Sequence, residues 1–338
     1  MQSLKHQFDN INSIFDDIEA FYTLTSDKDA ENRLFSRVFD VSFIPLSNLY
    51  AEYGNFYVNA NFAQKSYDKL ELPKYDSKNI IVCFSGGKDS LVTALHYKKL
   101  GYNVYLYHVT GLNKCYYDEF KAVEALGKML EMPVYIEDVS YKGTHCWTEH
   151  PMKNMLLVNL ALQYGIRAGI GTKVAMGNFY TSSLETDAFD VCGGDCVEMW
   201  NAYETIIKRI IPKFHVYRSS KNFQTTINTL LQHTELIPKT ISCITPNRFR
   251  NQLREKNRKK YGFPTMENRC GSCWKCCIEY IIFCDNNVFP YDEKYYTHCL
   301  EILRNTTKKE TNELLNDEEL WNRWLFYPRK KSKLLIAQ

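Results

Sequence analysis

Hydrophobic positions between residues 79 and 178 switch repeatedly between a strand-like and a helix-like period. IIVCF (80–84) is an unbroken apolar run, the pattern of a strand buried on both faces of a parallel sheet. The next segment, KDSLVTALHYKKLG, has helical spacing: Leu91, Ala94 and Leu95 share one face, and Gly101 stands where such a helix ends. NVYLYHV (103–109) predicts a second strand, DEFKAVEALGKML (118–130) a helix and VYIEDV (134–139) a third strand. MKNMLLVNLALQYGIRAG (152–169) reads as an apolar helix and KVAMGN (173–178) as a fourth strand. This alternation predicts an α/β fold, an open parallel sheet with helices on both faces, forming one domain over 79–240.

The flanks read differently. MQSLKHQFDNINSIFDDIEAF has the spacing of an amphipathic helix, and RVFDVSFIPL and NFYVNANF alternate like strands. Residues 1–78 are therefore expected to form an added α+β domain. Residues 241–338 hold a cysteine cluster, a helical stretch NELLNDEELWNRWLF and a basic tail PRKKSKLL, and are expected to form a small zinc lobe with C-terminal helices.

Between the first strand and its helix stand Ser85, Gly86, Gly87, Lys88, Asp89 and Ser90. Glycines at such a corner let the backbone take positive φ and let an anion approach closely. The amides and dipole of the helix start then hold phosphate, and the Ser85 and Ser90 hydroxyls add donors. The plain alternative is a tight turn with no ligand. Two familiar phosphate loops are excluded. A P-loop needs Gly-x4-Gly-Lys-Ser/Thr, but Asp89 follows Lys88 and Val82 occupies the first glycine position. A Gly-x-Gly-x-x-Gly dinucleotide fingerprint is also missing.

Composition narrows the class. The 338 residues are 24% charged and 45% hydrophobic, ordinary for a soluble globular protein, and a net charge of +3 does not by itself imply nucleic acid. No apolar run is long enough to span a bilayer. The N-terminus lacks the basic-then-apolar order of a secretory signal, so a cytoplasmic location is expected, with no membrane partner. Twelve cysteines then suggest metal-binding thiolates and buried thiols rather than disulfides.

NRCGSCWKCCIEY supplies Cys270, Cys273, Cys276 and Cys277. C-x2-C-x2-C places three thiolates around a tight turn, which suits a tetrahedral ion. A fourth ligand must come from elsewhere. Cys243 in KTISCITP is the first choice, with Cys277 and Cys284 as competitors and Cys277 expected to point into the following helix. A closed four-cysteine site would hold structural zinc; an iron–sulfur cluster is the alternative, and unliganded buried cysteines the plain one.

S-G-G-K-D-S directly after a buried strand resembles the PP-loop of the ATP pyrophosphatase superfamily. Those enzymes cleave ATP between its α- and β-phosphates, and the loop grips the departing pyrophosphate. The order of loop, distant cysteine and C-x2-C-x2-C looks like the 7-cyano-7-deazaguanine synthase (QueC-like) family, although the first cysteine gap is much shorter there. HPMKNMLLVNLALQY (150–164) is similar to that family's Pro-Gly-Arg-Asn approach to an apolar helix, with Lys153 and Asn154 at its polar positions. LETDAFDVCGGDCVEMW (184–200) resembles its Glu-Thr-Asp, then Asp-Cys, stretch. The resemblance spans residues 79–284.

It implies that Ser85, Gly86, Gly87, Lys88, Asp89 and Ser90 bind ATP, with magnesium as companion ion, and that a substrate carboxylate is adenylated before a C–N bond forms. The implied substrate is a 7-carboxy-7-deazaguanine-like acid. Lys153 and Asp89 are then the candidate catalytic residues. Lys153, Asn154, Glu185, Thr186, Asp187 and Asp195 would bind the substrate, with Lys153 neutralising its carboxylate and the acids accepting from a guanine-like edge. Glu185, Asp187 and Asp195 follow the fourth strand, where open α/β sheets bind ligands. Their plain reading is a helix N-cap or a solvated charge, above all for Asp195.

The chain departs from the family in three places. The family's Asp-Tyr-Gly-Gln-like stretch is replaced by HVTGLNKCYYDEF (108–120), which keeps Gly111; His108 there is either an acid–base group or a plain strand-end histidine. Residues 1–78 have no family counterpart. NRFRNQLREKNRKKYG carries seven Lys or Arg against one Glu, either a solvated face or a surface for a nucleic acid backbone or an acidic partner.

These additions favour a specialised relative of the kind found in bacterial anti-phage operons, which joins the deazaguanine to a protein's N-terminal amine. The protein acceptor would dock on the N-terminal domain or on the basic insertion 247–262. The alternatives are a nitrile synthase using ammonia, as in queuosine biosynthesis, a PP-loop tRNA-modifying enzyme, and an inactive nucleotide-binding scaffold.

Overall fold

The computed structural model describes residues 72–110, 119–138, 153–177, 204, 208, 211–212, 214–218, 223–243, 245, 247–261 and 268–311. Residues 1–71 of the expected N-terminal domain, and the expected helix and basic tail after residue 311, lie outside them.

Among the described residues five strands form one sheet: β1 (Asn79–Cys83), β2 (Asn103–Thr110), β3 (Val134–Asp138), β4 (Val174–Met176) and β5 (Val216–Arg218). Their order is β3-β2-β1-β4-β5, and every neighbouring pair is parallel. Ile81 of the central strand stands opposite Tyr105 on one side and Val174 on the other. The expected α/β sheet is what the chain forms.

The apolar run of β1 is explained by its two covered faces. Ile80, Val82 and Phe84 enter the main core with residues of α1 (Lys88–Lys99) and α2 (Glu119–Leu130). Ile81 and Cys83 point the other way by strand alternation. On that side the Cys83 thiol approaches the Leu157 carbonyl of α3 (Lys153–Arg167) at 3.8 Å. Helix α1 stops as its sequence suggests. Gly101 takes φ +77°, its amide donates to Lys98 O at 2.9 Å, and the Tyr102 amide donates to Tyr97 O at 3.0 Å. This paired closure satisfies two carbonyls that the last turn would leave open.

After β5 the chain continues through α4 (Phe223–Leu230), a 3-10 turn (Ile237–Lys239), α5 (Asn247–Tyr261), α6 (Trp274–Asp285) and α7 (Glu293–Thr311). The core does not end with the sheet. Cys277, Ile281, Tyr295 and Leu303 from α6 and α7 join Val82, Leu91 and Leu106 in one buried cluster. Each large apolar side chain buried there contributes about 1.5–3 kcal/mol. The basic stretch is helix α5, which buries Arg250 and Asn257 and exposes Lys256, Arg258, Lys259 and Lys260. Among the described residues no helix is long and apolar enough to cross a membrane.

Candidate functional site: a glycine loop beside a four-cysteine centre

The chain builds β1, β2 and β3 outward in one direction, then returns past β1 to add β4 and β5. The order therefore reverses between β1 and β4, and open α/β sheets bind ligands beyond the C-terminal ends of the strands at such a switch point. The S-G-G-K-D-S loop leaves β1 at this point, and Gly177 follows β4 there. A Cβ on Gly177 would stand 2.6 Å from the Asp89 carbonyl carbon and oxygen and from the Ser90 amide nitrogen. Only a glycine lets the end of β4 close so tightly on the start of α1.

Gly86 takes φ +73°, the conformation that the turn needs and that side chains disfavour. Gly87 is the N-cap of α1, whose first-turn amides by helix geometry point out of its N-terminus. Ser85 Oγ accepts from the Gly87 amide at 3.3 Å and lies 3.4 Å from Ser90 Oγ, which donates to Gly87 O at 3.1 Å. Lys88 Nζ pairs with Asp89 Oδ2 at 2.8 Å. Burial acts to lower the Lys88 pKa, but the carboxylates of Asp89 and Glu279 outweigh it, and the ammonium stands above the ordinary lysine range. Asp89 Oδ1 is buried with no hydrogen-bond partner among the described residues.

The sulfurs of Cys243, Cys270, Cys273 and Cys276 all lie within 4.8 Å of one another. Cys270 and Cys276 are 4.0 Å apart, and Cys243 and Cys273 are 3.9 Å apart. A tetrahedral ion with metal–sulfur bonds of about 2.3 Å sets its ligands about 3.8 Å apart, so the group could hold one ion such as zinc. A cubane cluster spreads its four thiolates around a much larger body. Cys270 Sγ also accepts from Thr245 Oγ1 at 3.0 Å and from the Ser272 and Cys273 amides at 3.3 Å, bonds that favour a thiolate. Contacts with Cys270, Cys273 and Cys276 pull Cys243 far below its ordinary pKa, and Cys243 in turn pushes Cys273 and Cys276 up.

Neighbouring helices brace the knuckle. Asn257 of α5 donates to Cys270 O at 2.9 Å, and Tyr295 of α7 donates to Gly271 O at 2.9 Å. The competing cysteines lie elsewhere: Cys277 and Cys284 are both buried in the main core. Burial pushes the Cys277 thiol well above its ordinary pKa, as expected of an inert core cysteine.

Loop and cysteine centre are adjoined. The Ile241 amide donates to Gly86 O at 2.8 Å, two residues before Cys243. Arg269, one residue before Cys270, is fully buried and donates through Nε and Nη2 to Glu279 of α6, each at 2.9 Å. Lys275, between Cys273 and Cys276, is held below the ordinary lysine range by burial and by the positive charge of Lys88. Lys88, Asp89, Lys275, Glu279 and Arg269 thus form a chain of charges running from the loop into the knuckle.

Of the residues singled out from sequence, the six loop residues stand together at the switch point and the four cysteines meet beside them. Lys153 opens α3 and Asn154 follows it. Being a crossover helix between parallel strands, α3 begins on the same sheet edge as the loop. Glu185, Thr186, Asp187, Asp195 and Gly111 lie outside the described residues. His108 is buried with Nδ1 2.9 Å from Phe84 O, so that nitrogen carries the proton and donates. Burial drives its pKa down to about 4, and it serves as a strand-end brace.

Sequence reasoning missed Gly177, Ile241, Arg269, Lys275 and Glu279. One signal was visible for Glu279: it is an acid in the middle of the apolar run CCIEYIIF, which requires a buried partner.

No family model matches the chain, and the curated proteins contain no match to it. Among solved structures it is similar to a predicted subunit of tRNA methyltransferase from Methanocaldococcus jannaschii. The two are 21% identical with a TM-score of 0.29, over 56% of this chain and 95% of that one. Likeness of that degree assigns no activity.

Proposed function

We propose that the protein is a PP-loop ATP pyrophosphatase that adenylates a 7-carboxy-7-deazaguanine-like acid and passes the acyl group to an amine, favouring a protein amine over ammonia. The observation that carries this reading is the S-G-G-K-D-S loop at the switch point of a parallel sheet, with Gly86 at φ +73° and Gly87 capping α1.

In the first step a carboxylate oxygen of the substrate attacks the α-phosphorus of ATP, and the bond to the β-phosphate bridging oxygen breaks. The electron pair leaves with pyrophosphate. Amides of the first turn of α1, the Ser85 and Ser90 hydroxyls and the Lys88 ammonium would take up that charge. The amine then attacks the acyl carbon, AMP leaves and the amine loses a proton. Lys153, at the start of α3 on the same sheet edge, is assigned to the substrate carboxylate, and Asn154 beside it to substrate binding.

Asp89 Oδ1, buried and without a hydrogen-bond partner among the described residues, is an oxygen of the kind magnesium takes, and Asp89 would hold that ion. Magnesium, when bound, neutralises phosphate charge. Cys243, Cys270, Cys273 and Cys276 would hold zinc in a closed structural site with no chemistry of its own. The exposed cations of α5 support docking of an acidic acceptor protein.

Intact-protein and small-molecule mass spectrometry tests the proposal after incubation with ATP and 7-carboxy-7-deazaguanine, with and without ammonia or candidate acceptor proteins. A protein gaining the deazaguanine acyl mass supports the conjugating reading. A nitrile or primary amide formed with AMP makes it a synthase. No AMP under any condition overturns the substrate assignment, and salt-steep tRNA binding would then favour tRNA modification.

A further inference from the structure

The glycine loop and the cysteine centre share one short segment of backbone. Thr240, Ile241, Ser242 and Cys243 leave the 3-10 turn at Ile237–Lys239 and cross the loop with no regular secondary structure of their own. The Ile241 amide is bonded to Gly86 O at 2.8 Å. Ile241 O lies 3.2 Å, and Ser242 Oγ 3.9 Å, from the point where a Cβ on Gly87 would stand. The very next residue, Cys243, is one of the four clustered sulfurs.

The near end of this strap is clamped by Arg269. Its Nη2 donates to Thr240 Oγ1 at 2.9 Å and to Ile237 O at 3.3 Å, and Nη1 donates to Thr240 O at 3.3 Å. The far end, Cys243, is tied through the sulfur cluster and a bond from the Thr245 backbone. A metal ion there would fix the far end as firmly as Arg269 fixes the near one, with Ser242 held between them.

Because Gly87 has no side chain, the space over the N-cap of α1 is bounded by the strap. An anion seated on that helix start beside Gly87 comes within reach of the half-buried Ser242 hydroxyl. We propose that Ser242 is a further phosphate-binding residue of the loop, and that a metal ion at Cys243, Cys270, Cys273 and Cys276 holds it in place, so that metal and pyrophosphate strengthen each other's binding. This inference rests on reading the loop as a phosphate site. The coupling is reciprocal by linkage: whatever factor the metal adds to pyrophosphate affinity, pyrophosphate adds to metal affinity.

The test uses the full-length zinc-loaded protein with magnesium present. Pyrophosphate binding is measured calorimetrically for the wild type and for Ser242→Ala, a substitution that removes one hydroxyl and leaves the residues of the glycine loop and the four cysteines in place. Zinc affinity is read in buffers of fixed free zinc, with and without pyrophosphate, so that pyrophosphate's own hold on zinc does not enter. The expected result is a rise in zinc affinity of about five- to tenfold with saturating pyrophosphate, within the usual range of coupling between sites. Ser242→Ala should weaken pyrophosphate binding by about fivefold and shrink the zinc effect, with zinc content and melting temperature unchanged. Pyrophosphate binding that leaves zinc affinity unmoved, or a Ser242→Ala protein that binds like the wild type, overturns this inference alone. If neither pyrophosphate nor ATP binds the zinc-loaded wild type, the phosphate-loop reading falls and this inference with it.

Discussion

Arg269 and Glu279 are joined across 2.9 Å with side-chain exposures of 0% and 3%, ten residues apart and on opposite sides of the cysteine knuckle. Removing one partner from such a pair leaves a buried charge, so Glu279→Gln should cost about 3–5 kcal/mol of stability in urea unfolding. Replacing both, as Arg269→Met with Glu279→Leu, should restore most of that stability. The double variant should still bind pyrophosphate more weakly, because Thr240 loses its clamp.

Two glycine substitutions separate backbone strain from crowding at the site. Gly177→Ala would drive a Cβ to 2.6 Å from backbone atoms of Asp89 and Ser90, so the loop must shift. Loss of detectable ATP binding is expected there. At Gly101 the φ is +77° with nothing within 4 Å, so Gly101→Ala should cost only the strain of about 1–2 kcal/mol. Its ATP affinity, read by equilibrium binding, should match the wild type.

Cysteine replacements should sort by position. Cys243→Ser should release bound metal, while Cys277→Ser, in the main core, should keep one ion per chain by elemental analysis. Cobalt-substituted wild type should show the visible bands of tetrahedral thiolate ligation. Equal metal content in the two variants would contradict the assignment of Cys243.

His108 makes stability depend on pH. Its folded pKa of about 4 lies below the ordinary histidine value of 6.5, so the unfolded chain binds the extra proton between those values. This contribution is fully present above pH 6.5 and is lost as pH falls toward 4, a change of about 3 kcal/mol at 1.36 kcal/mol per pH unit. His108→Asn, which can still donate to Phe84 O, should flatten that part of the profile in urea unfolding measured across the range.

The β1–α1–β2 unit was legible because Ile80, Val82 and Phe84 form a run that only a doubly covered strand explains, and because Gly101 marks the helix end. The cysteine knuckle was legible from spacing. β5 was not, since three residues from Val216 to Arg218 are too few for a period to declare itself. Helix α7 also escaped notice, although Tyr295, Tyr296, Cys299, Leu300 and Leu303 recur at helical spacing and are the side chains it buries against α6. The strap from Thr240 to Cys243 was invisible for another reason. Its role is a single bond from Ile241 to Gly86 across 155 residues of chain, and no local pattern records such a contact.

The central claim, that this loop cleaves ATP between its α- and β-phosphates, is tested most directly by phosphorus NMR of ATP turned over with 7-carboxy-7-deazaguanine and an amine donor. The expected products are AMP and pyrophosphate in equal amounts, dependent on the acid and lost in Lys88→Ala. ADP and inorganic phosphate as products, or AMP formed equally well without the acid, would contradict it.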